Sequence, residues 1–236
     1  MLALKVSVNF ADKNGHTPLY VVLQGSLPGK EGLVRALLEA GADIHFKPPL
    51  STIMTPLEKA VMFQQHALVD IMLQHQPLHN NPKAPKGVYL HAAARTVPSK
   101  RMFSALIRSG ASVTELDSNG DTPLSVFLKS VADQPHWMAH TRGAANQVCA
   151  TVWYLWNKKV DINLRNKSGK AITSYLTALR IYNGDNLARK RIAEELQLCV
   201  EVVPAEGADE AEGLKTLRFR HGLMGLGKIG SQGVGQ

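Results

Sequence analysis

The sequence predicts an all-α protein, built as a solenoid of stacked helix-turn-helix units with short hairpin loops. Two observations lead to this prediction. The stretch DKNGHTPLYVVL at residues 12–23 returns almost unchanged as DSNGDTPLSVFL at residues 117–128. An apolar spacing of i, i+1, i+4, i+5, which marks one face of a helix, recurs at residues 33–38 and 102–107. Such repetition is typical of arrays whose units bury their apolar faces against one another.

Thr-Pro-Leu marks the start of the first helix of a unit. It occurs at residues 17–19, 55–57 and 122–124, with degenerate copies at residues 88–93 and 170–172. The Thr hydroxyl can accept a hydrogen bond from a free backbone N–H, and Pro fits the first turn because its missing N–H is not needed there. Leu then begins the buried face.

The second helix of a unit is predicted to end at a glycine that leads into a tight turn. Gly41 and Gly110 follow the two apolar faces and can adopt the left-handed conformation that ends a helix. Asp-Xaa-Asn-Gly, at residues 12–15 and 117–120, is typical of a tight turn. The markers divide a repeat domain at residues 1–200 into five units, at about residues 12–48, 49–82, 86–116, 117–165 and 166–200.

With these markers the chain resembles an ankyrin-repeat protein of about five repeats, some of them degenerate. The resemblance covers about residues 1–200 and rests on NGHTPL, LLEAGADI, LHAA, LIRSGASV and NGDTPL, which begin at residues 14, 37, 90, 106 and 119. Unit two departs from the pattern with Gln76-Pro77 in place of Gly-Ala, and unit five has Lys170-Ala171 in place of Thr-Pro.

The resemblance implies an ankyrin-type solenoid that acts as a non-enzymatic protein-interaction scaffold, with no catalytic residue, cofactor or metal. In ankyrin-like stacks the hairpin tips and first helices line a concave face, and family members generally bind partners there. The matching positions are Lys13, Asn14, His16, Tyr20, Glu58, Asp117, Ser118, Asn119 and Ser125.

Three segments depart from the regular repeat. Residues 133–147 lengthen unit four and are expected to form an inserted loop, in which Trp137 either contacts a partner or folds back as an anchor. Residues 1–8 either follow further repeats of a longer array or cap unit one. Residues 201–236, an acidic patch followed by a Gly-rich basic segment, are expected to be a disordered tail.

Composition points to an intracellular protein, either cytoplasmic or nuclear. The only cysteines, Cys149 and Cys199, lie far apart, and neither a secretory signal nor a membrane-spanning run of apolar residues is present. We therefore expect no membrane association. The resemblance implies another protein as partner, and we expect the chain to be a monomer. Cys149 is expected to be a small core residue.

The net charge of +8 leaves a second class of partner open. Basic residues cluster towards the end of the repeats and either recruit an anionic partner, nucleic acid or an acidic protein, or form solvated helix faces. The members are Lys158, Lys159, Arg165, Lys167, Lys170, Arg180, Arg189, Lys190 and Arg191.

Motifs for nucleotide and metal binding are set aside on physical grounds. The GLMGLGK at residues 222–228 resembles a phosphate-binding loop, but Ile229 replaces the Ser or Thr that would hold magnesium, and too few residues follow for a helix. His136 and His140 have helical ligand spacing, but Trp137 stands where the metalloprotease pattern requires Glu. His91 matches the histidine beside Leu that is usual in ankyrin repeats, and the resemblance implies that it hydrogen-bonds between adjacent units.

Overall fold

In the computed structural model, helices form most of the part of the chain that is described, which comprises residues 7–25, 27–47, 54–80, 86–96, 99–133, 144–180, 190, 193–194, 200–204 and 215–219. The helices are α1 Pro18–Gln24, α2 Lys30–Glu39, α3 Pro56–Met62, α4 His66–His75, α5 Lys86–Ala94, α6 Lys100–Arg108, α7 Pro123–Asp133, α8 Ala144–Trp156 and α9 Ile172–Arg180, with a 3₁₀ turn at Leu78–Asn80. Strands β1 Val200–Pro204 and β2 Lys215–Phe219 pair antiparallel.

The helices pack in two rows. The inner row consists of α1, α3, α5, α7 and α9, each in contact with the next, and the outer row of α2, α4, α6 and α8 is built in the same way. Each of the first four inner helices also packs against the outer helix that follows it. This arrangement is the predicted helix-turn-helix solenoid, in which each unit is stabilised mainly by its neighbours.

One apolar core runs through the stack. The repeated leucines that follow the helix starts, Leu19, Leu57, Leu90 and Leu124, are at most 1% exposed. Phe103 of α6 meets Phe127 of α7 edge to face, with ring centroids 5.9 Å apart. Cys149 is fully buried in α8, as predicted.

Caps at the helix ends follow the predicted chemistry. Thr17, Thr55 and Thr122 each accept a hydrogen bond from the backbone N–H three residues later. Gly41 and Gly110 have φ of 90° and 107°, so each adopts the left-handed conformation that ends a helix. The backbone N–H groups of Gly41 and Ala42 donate to the carbonyl oxygens of Leu38 and Leu37. Residues 110 and 111 repeat this pattern two helix pairs further on, at the end of α6.

Three turns share one hydrogen-bond pattern, at residues 12–16, 117–121 and 166–170. In each, the first residue donates its N–H to the fifth residue's carbonyl, and its side-chain oxygen accepts from the third and fifth N–H groups. The third turn places Ala171 level with Thr122 and Ile172 level with Pro123. The prediction that residues 170–172 correspond to Thr-Pro-Leu was therefore wrong by one residue. The position of the Asn166 turn fixes the alignment of this unit with the others, and apolar similarity does not.

Two other segments differ from expectation or lie outside the described residues. Asp133 is the last residue of α7, and residues 144–147 form the first turn of α8, so both ends of the expected loop are helical. Its central part, including Trp137, His136 and His140, lies outside the described residues. In the tail, β1 and β2 form regular structure that the composition did not predict, and β1 lies beside α9.

Candidate functional site

Two hairpin turns carry exposed side chains at their tips. Lys13 and Asn14 are exposed in the first, and Ser118 and Asn119 are exposed in the fourth unit. The Asp12 carboxylate organises the first turn by accepting from the N–H groups of Asn14 and His16, both at 2.8 Å. These bonds, chiefly the one from His16, hold the pKa of Asp12 below its ordinary value. The tip side chains are therefore presented on an ordered backbone.

An aromatic and cationic cluster joins the first two inner helices. The His16 and Tyr20 rings stack with centroids 4.8 Å apart and planes 9° from parallel. The Lys59 ammonium lies 4.2 Å from the Tyr20 centroid and 5.3 Å from that of Phe63. Lys59 is 8% exposed, whereas Phe63 is 65% exposed. Within this cluster the Lys59–Tyr20 contact holds two units together, and the Phe63 ring remains open to solvent.

A polar groove follows α7 between the fourth and fifth hairpins, and we call it the α7 groove. It consists of two adjoining cavities of about 210 Å³ and 370 Å³, which share Asn119, Asp121, Lys129 and Asp133. Arg95 and Asp117 line the first cavity, and Lys170 and Tyr175 line the second. The groove thus connects the two hairpin turns with three inner helices, α5, α7 and α9.

Hydrogen bonds order the wall of the α7 groove. The Asn166 amide donates to the Asp121 carboxylate at 2.8 Å and to the Tyr175 hydroxyl oxygen at 3.2 Å. In the second bond the Tyr175 hydroxyl acts as the acceptor, so its own O–H can still donate a hydrogen bond. His91 Nε2 lies 3.0 Å from the Asp121 carbonyl oxygen, which confirms the predicted bond between adjacent units. These contacts hold Asp121, which is 3% exposed, at the junction of the two cavities.

The α7 groove carries charges of both signs. Arg95 and Asp117 form an ion pair at 3.5 Å across its first cavity. Lys129 and Asp133 are exposed, and within the described part of the chain neither forms an ion pair. The groove thus combines one internal ion pair with two side chains of opposite charge that have no ion-pair partner among the described residues.

The predicted site residues fall into two groups. Lys13, Asn14, His16, Asp117, Ser118 and Asn119 lie on the turns, and Asp117 and Asn119 also line the α7 groove. Tyr20 and Ser125 are 9% and 4% exposed, and Glu58 closes a reciprocal cap with Thr55, so these three contribute to the fold. Spacing alone does not separate helix positions that face solvent from those covered by the next unit.

Most residues that line the α7 groove were not predicted, among them Arg95, Lys129, Asp133 and Tyr175. A signal for two of them was present, because Arg95 and Lys129 each stand five residues after the repeated leucine of their unit. Aligning the first helices over their full length would have identified this position.

Two histidines outside the groove are held where charging them is unfavourable. His45 Nδ1 lies 2.5 Å from the Tyr89 hydroxyl, and burial lowers the pKa of His45 below 6.5. Burial also lowers the pKa of His66, with a smaller contribution from the nearby Arg101. Burial raises the pKa of Tyr89, so its phenol stays neutral and can donate. Both histidines therefore favour the neutral form in the folded protein.

The described ranges contain neither a metal-ion site nor a helix that could span a membrane. No group of three or more His, Cys, Asp or Glu side chains there is arranged to hold a metal ion. Among the helices described, none combines the length and apolar character needed to cross a bilayer.

The basic cluster is partly described. Lys158, Lys159, Arg165, Lys167 and Lys170 are exposed around the hairpin that follows α8, with Asp161 as the one acidic residue of that stretch. Lys190 is exposed as well, whereas Arg189 and Arg191 lie outside the described residues, as does the Arg180 side chain.

Comparison with known proteins supports the fold. No protein-family model matches the chain. Rabankyrin-5 of Homo sapiens is 24% identical over 119 residues, which are 50% of this chain and 10% of that protein, so the match spans about a tenth of the relative. The crystal structure of an ankyrin repeat domain from Acinetobacter baumannii AYE superposes with a TM-score of 0.58 at 19% identity, covering 83% of this chain and 87% of that chain. The chain has the ankyrin-repeat fold.

Proposed function

We propose that the protein is a non-enzymatic scaffold that binds another protein on the concave face of its ankyrin stack. The α7 groove and the hairpin tips beside it form the centre of the binding surface. The observation that carries the proposal is the groove itself, because ordered polar groups line a cleft open to solvent and retain unused hydrogen-bonding capacity.

The side chains of the groove favour an extended partner segment that carries both acidic and basic residues. Lys129 can pair with a carboxylate of the partner, and Asp133 with a cation. The Tyr175 hydroxyl can donate to a backbone carbonyl, since Asn166 already occupies one of its lone pairs. Charges of opposite sign along one cleft set the direction in which such a segment can lie.

A charge-matched pair of variants tests the proposal. Lys129→Glu reverses a charge in the groove, and Arg35→Glu makes the same change on the outer helix α2, where Arg35 is exposed. Purified parent protein is used to capture partners from cell extract, and the partner enriched reproducibly is then purified. Its Kd is measured for all three proteins by calorimetry.

We expect Lys129→Glu to weaken binding at least tenfold and Arg35→Glu to leave it within twofold. Equal affinity of all three proteins would place the binding surface outside the groove. Equal weakening by both variants would show that net charge alone drives association.

The basic residues of the last hairpin support a second candidate function, recruitment of an anionic partner. Five exposed cations stand in the stretch from residue 158 to residue 170 against one carboxylate. No ion pair within the described residues involves these five side chains. Binding through them would release counterions and fall steeply with salt.

This second candidate is tested with a fluorescent single-stranded oligonucleotide and, separately, a poly-glutamate peptide. Lys167→Glu combined with Lys170→Glu should abolish binding at low salt, while Lys47→Glu, an exposed control near the first two units, should not. Binding that survives the double variant would remove the hairpin cations from the site.

A further inference from the structure

Aromatic rings and cations meet where the outer helices α6 and α8 pack together. The Lys100 ammonium of α6 lies 5.8 Å from the Trp153 ring centroid and 5.9 Å from that of Tyr154 on α8. The Lys158 ammonium, just after α8, lies 5.4 Å from the Tyr154 centroid. Packing of the two helices brings Lys100 to the other three residues, from which it is remote in the sequence. We call these four side chains the α6/α8 surface.

The two aromatic rings of this surface are partly exposed. Their neighbours on α8, Val152 and Leu155, are 0% exposed and fill the apolar core. Tyr154 packs against the edge of this core, and Trp153 lies outside it among the described residues. The core is therefore formed by the other face of α8, and part of each ring is left accessible to a ligand.

The distances distinguish this surface from a structural cation–π contact. Between the first two units, Lys59 is 8% exposed and lies 4.2 Å from the Tyr20 centroid. Lys100 is only partly buried, and its ammonium lies near the limit of about 6 Å beyond which such a contact is not counted. A flexible lysine held so loosely can move to contact a ligand, which leaves the ring beneath it free to stack.

The segments that form this surface carry only positive charge. Residues 99–114 and 144–160 contain five Lys and Arg and no Asp or Glu. Of these five, only Arg101 forms an ion pair within the described residues, with Asp70 of α4 at 2.7 Å. The charge of the other four is available to an anionic partner, which the positive potential would attract.

We propose that the α6/α8 surface binds single-stranded nucleic acid. Trp153 and Tyr154 offer ring faces on which bases stack, and Lys100 and Lys158 contact the flanking phosphates. Every base has a face that can stack, so binding of this kind depends little on sequence. A duplex keeps its bases stacked on one another and would leave both rings unused. The ligand is therefore a single strand.

A membrane surface is another anionic partner that tryptophan, tyrosine and lysine can suggest. A helix that lies on a bilayer buries its apolar face in the lipid. The apolar face of α8 is already buried in the stack, where Val148, Val152 and Leu155 are 0% exposed. The two remaining rings are themselves partly buried, a position that suits stacking better than insertion into lipid.

The proposal does not rest on protein binding in the α7 groove, which lies among the inner helices. It shares Lys158 and an anionic partner with the second candidate function, but the stretch from residue 158 to residue 170 contains no aromatic residue. The two therefore differ for Lys167→Glu combined with Lys170→Glu. This change abolishes oligonucleotide binding if the hairpin is the site and leaves most of it if the α6/α8 surface is the site.

The test is the fluorescence anisotropy of a labelled oligothymidylate titrated with the full chain. We expect Trp153→Leu, which changes no charge, and Lys100→Glu each to weaken binding about tenfold. Trp153→Phe retains a ring for stacking and should bind within about threefold of the parent. Arg35→Glu makes the same charge change on the outer helix α2 and should bind within about twofold. Circular dichroism should show the same helix content in all of these variants.

A parent that does not bind the oligonucleotide overturns the proposal. Parent-like affinity of both Trp153→Leu and Lys100→Glu overturns it too, and loss of binding in the hairpin double variant would then assign the oligonucleotide to the second candidate function alone. Equal competition by poly-glutamate would show that charge and not stacking drives binding. Tighter binding to phosphatidylserine vesicles than to the oligonucleotide, lost in Trp153→Leu, would assign the rings to a membrane surface.

Discussion

Gly110 lies directly against the backbone of His79 in the preceding unit. A Cβ on Gly110 would come within 2.8 Å of the His79 nitrogen, whose N–H donates to the Ser109 carbonyl at 2.9 Å. The contact joins the end of α6 to the 3₁₀ turn after α4. A glycine here therefore serves both the helix end and the junction between units.

Gly110→Ala should destabilise the protein clearly more than Gly41→Ala. Both glycines have positive φ, for which an L-residue costs about 1–2 kcal/mol. Around Gly41 no atom lies within 4 Å of the added Cβ, so only this backbone cost applies. Urea denaturation of both variants measures the difference. Equal losses would mean that the His79 loop moves aside freely.

Stability should fall as the pH drops below about 6.5, because the folded state resists protonation of His45 and His66. Burial lowers both pKa values from 6.5, so below that pH the unfolded chain binds more protons and unfolding becomes easier. Above pH 7.5 both states are neutral at these sites and the effect vanishes.

The measurement for this prediction is the free energy of unfolding at pH 7.5 and pH 5.5. His45→Phe keeps an aromatic ring beside Tyr89, and its stability should depend less on pH than that of the parent. His75→Gln, which removes an exposed histidine of α4, controls for the loss of a histidine as such. If His45→Phe and the parent lose equal stability in acid, His45 is not the group responsible.

Lys59 and Tyr20 should be energetically coupled across the first two units. The ammonium lies 4.2 Å from the ring centroid in a mostly buried position, where a cation–π contact contributes about 1–2 kcal/mol. A double-mutant cycle with Lys59→Met and Tyr20→Leu isolates this energy, since both replacements retain bulk. Additive effects of the two substitutions would show that the contact contributes nothing.

Thr55 and Glu58 should behave as a structural pair and not as a binding site. The Glu58 N–H donates to the Thr55 hydroxyl at 3.1 Å, and the Thr55 N–H donates to the Glu58 carboxylate at 3.0 Å. Thr55→Ala should cost about 1 kcal/mol, and Glu58→Ala a smaller amount. Glu58→Gln retains an acceptor and should recover most of the loss in thermal denaturation. A Glu58→Ala protein as stable as the parent would return Glu58 to the list of candidate contacts.

Most helix starts and ends could be predicted because they depend on local chemistry. Thr17 and Thr55 cap the helices that follow them, and Gly41 and Gly110 end the second helices, through bonds that span a few residues. The fifth unit was predicted one residue out of register. Its turn is organised by the side-chain oxygen of Asn166, as the first turn is by Asp12, and a comparison of apolar residues does not detect this polar equivalence.

The proposed partner-binding surface could be predicted only in part. The turn residues Asp117 and Asn119 were identified from their motif, and both line the α7 groove. The sequence did not identify Lys129 and Tyr175, which line the groove. It predicted Tyr20 and Ser125 as surface contacts, but both side chains are largely buried. Which positions of an inner helix are exposed depends on how the neighbouring unit packs against it. The spacing of residues within one unit does not contain that information.

The amino-acid sequence by itself determined the repeating unit of this protein, since capping, glycine conformation and apolar periodicity are local properties of the chain. Only the tertiary structure decided which of the equivalent positions in different units are buried by a neighbouring unit. Val21 and Val126 are valines at the same place in their units, yet one is 48% exposed and the other 8%. The difference arises because burial in a stack depends on the neighbouring unit, so the same residue at the same place lies in the core of one repeat and on the open surface of another.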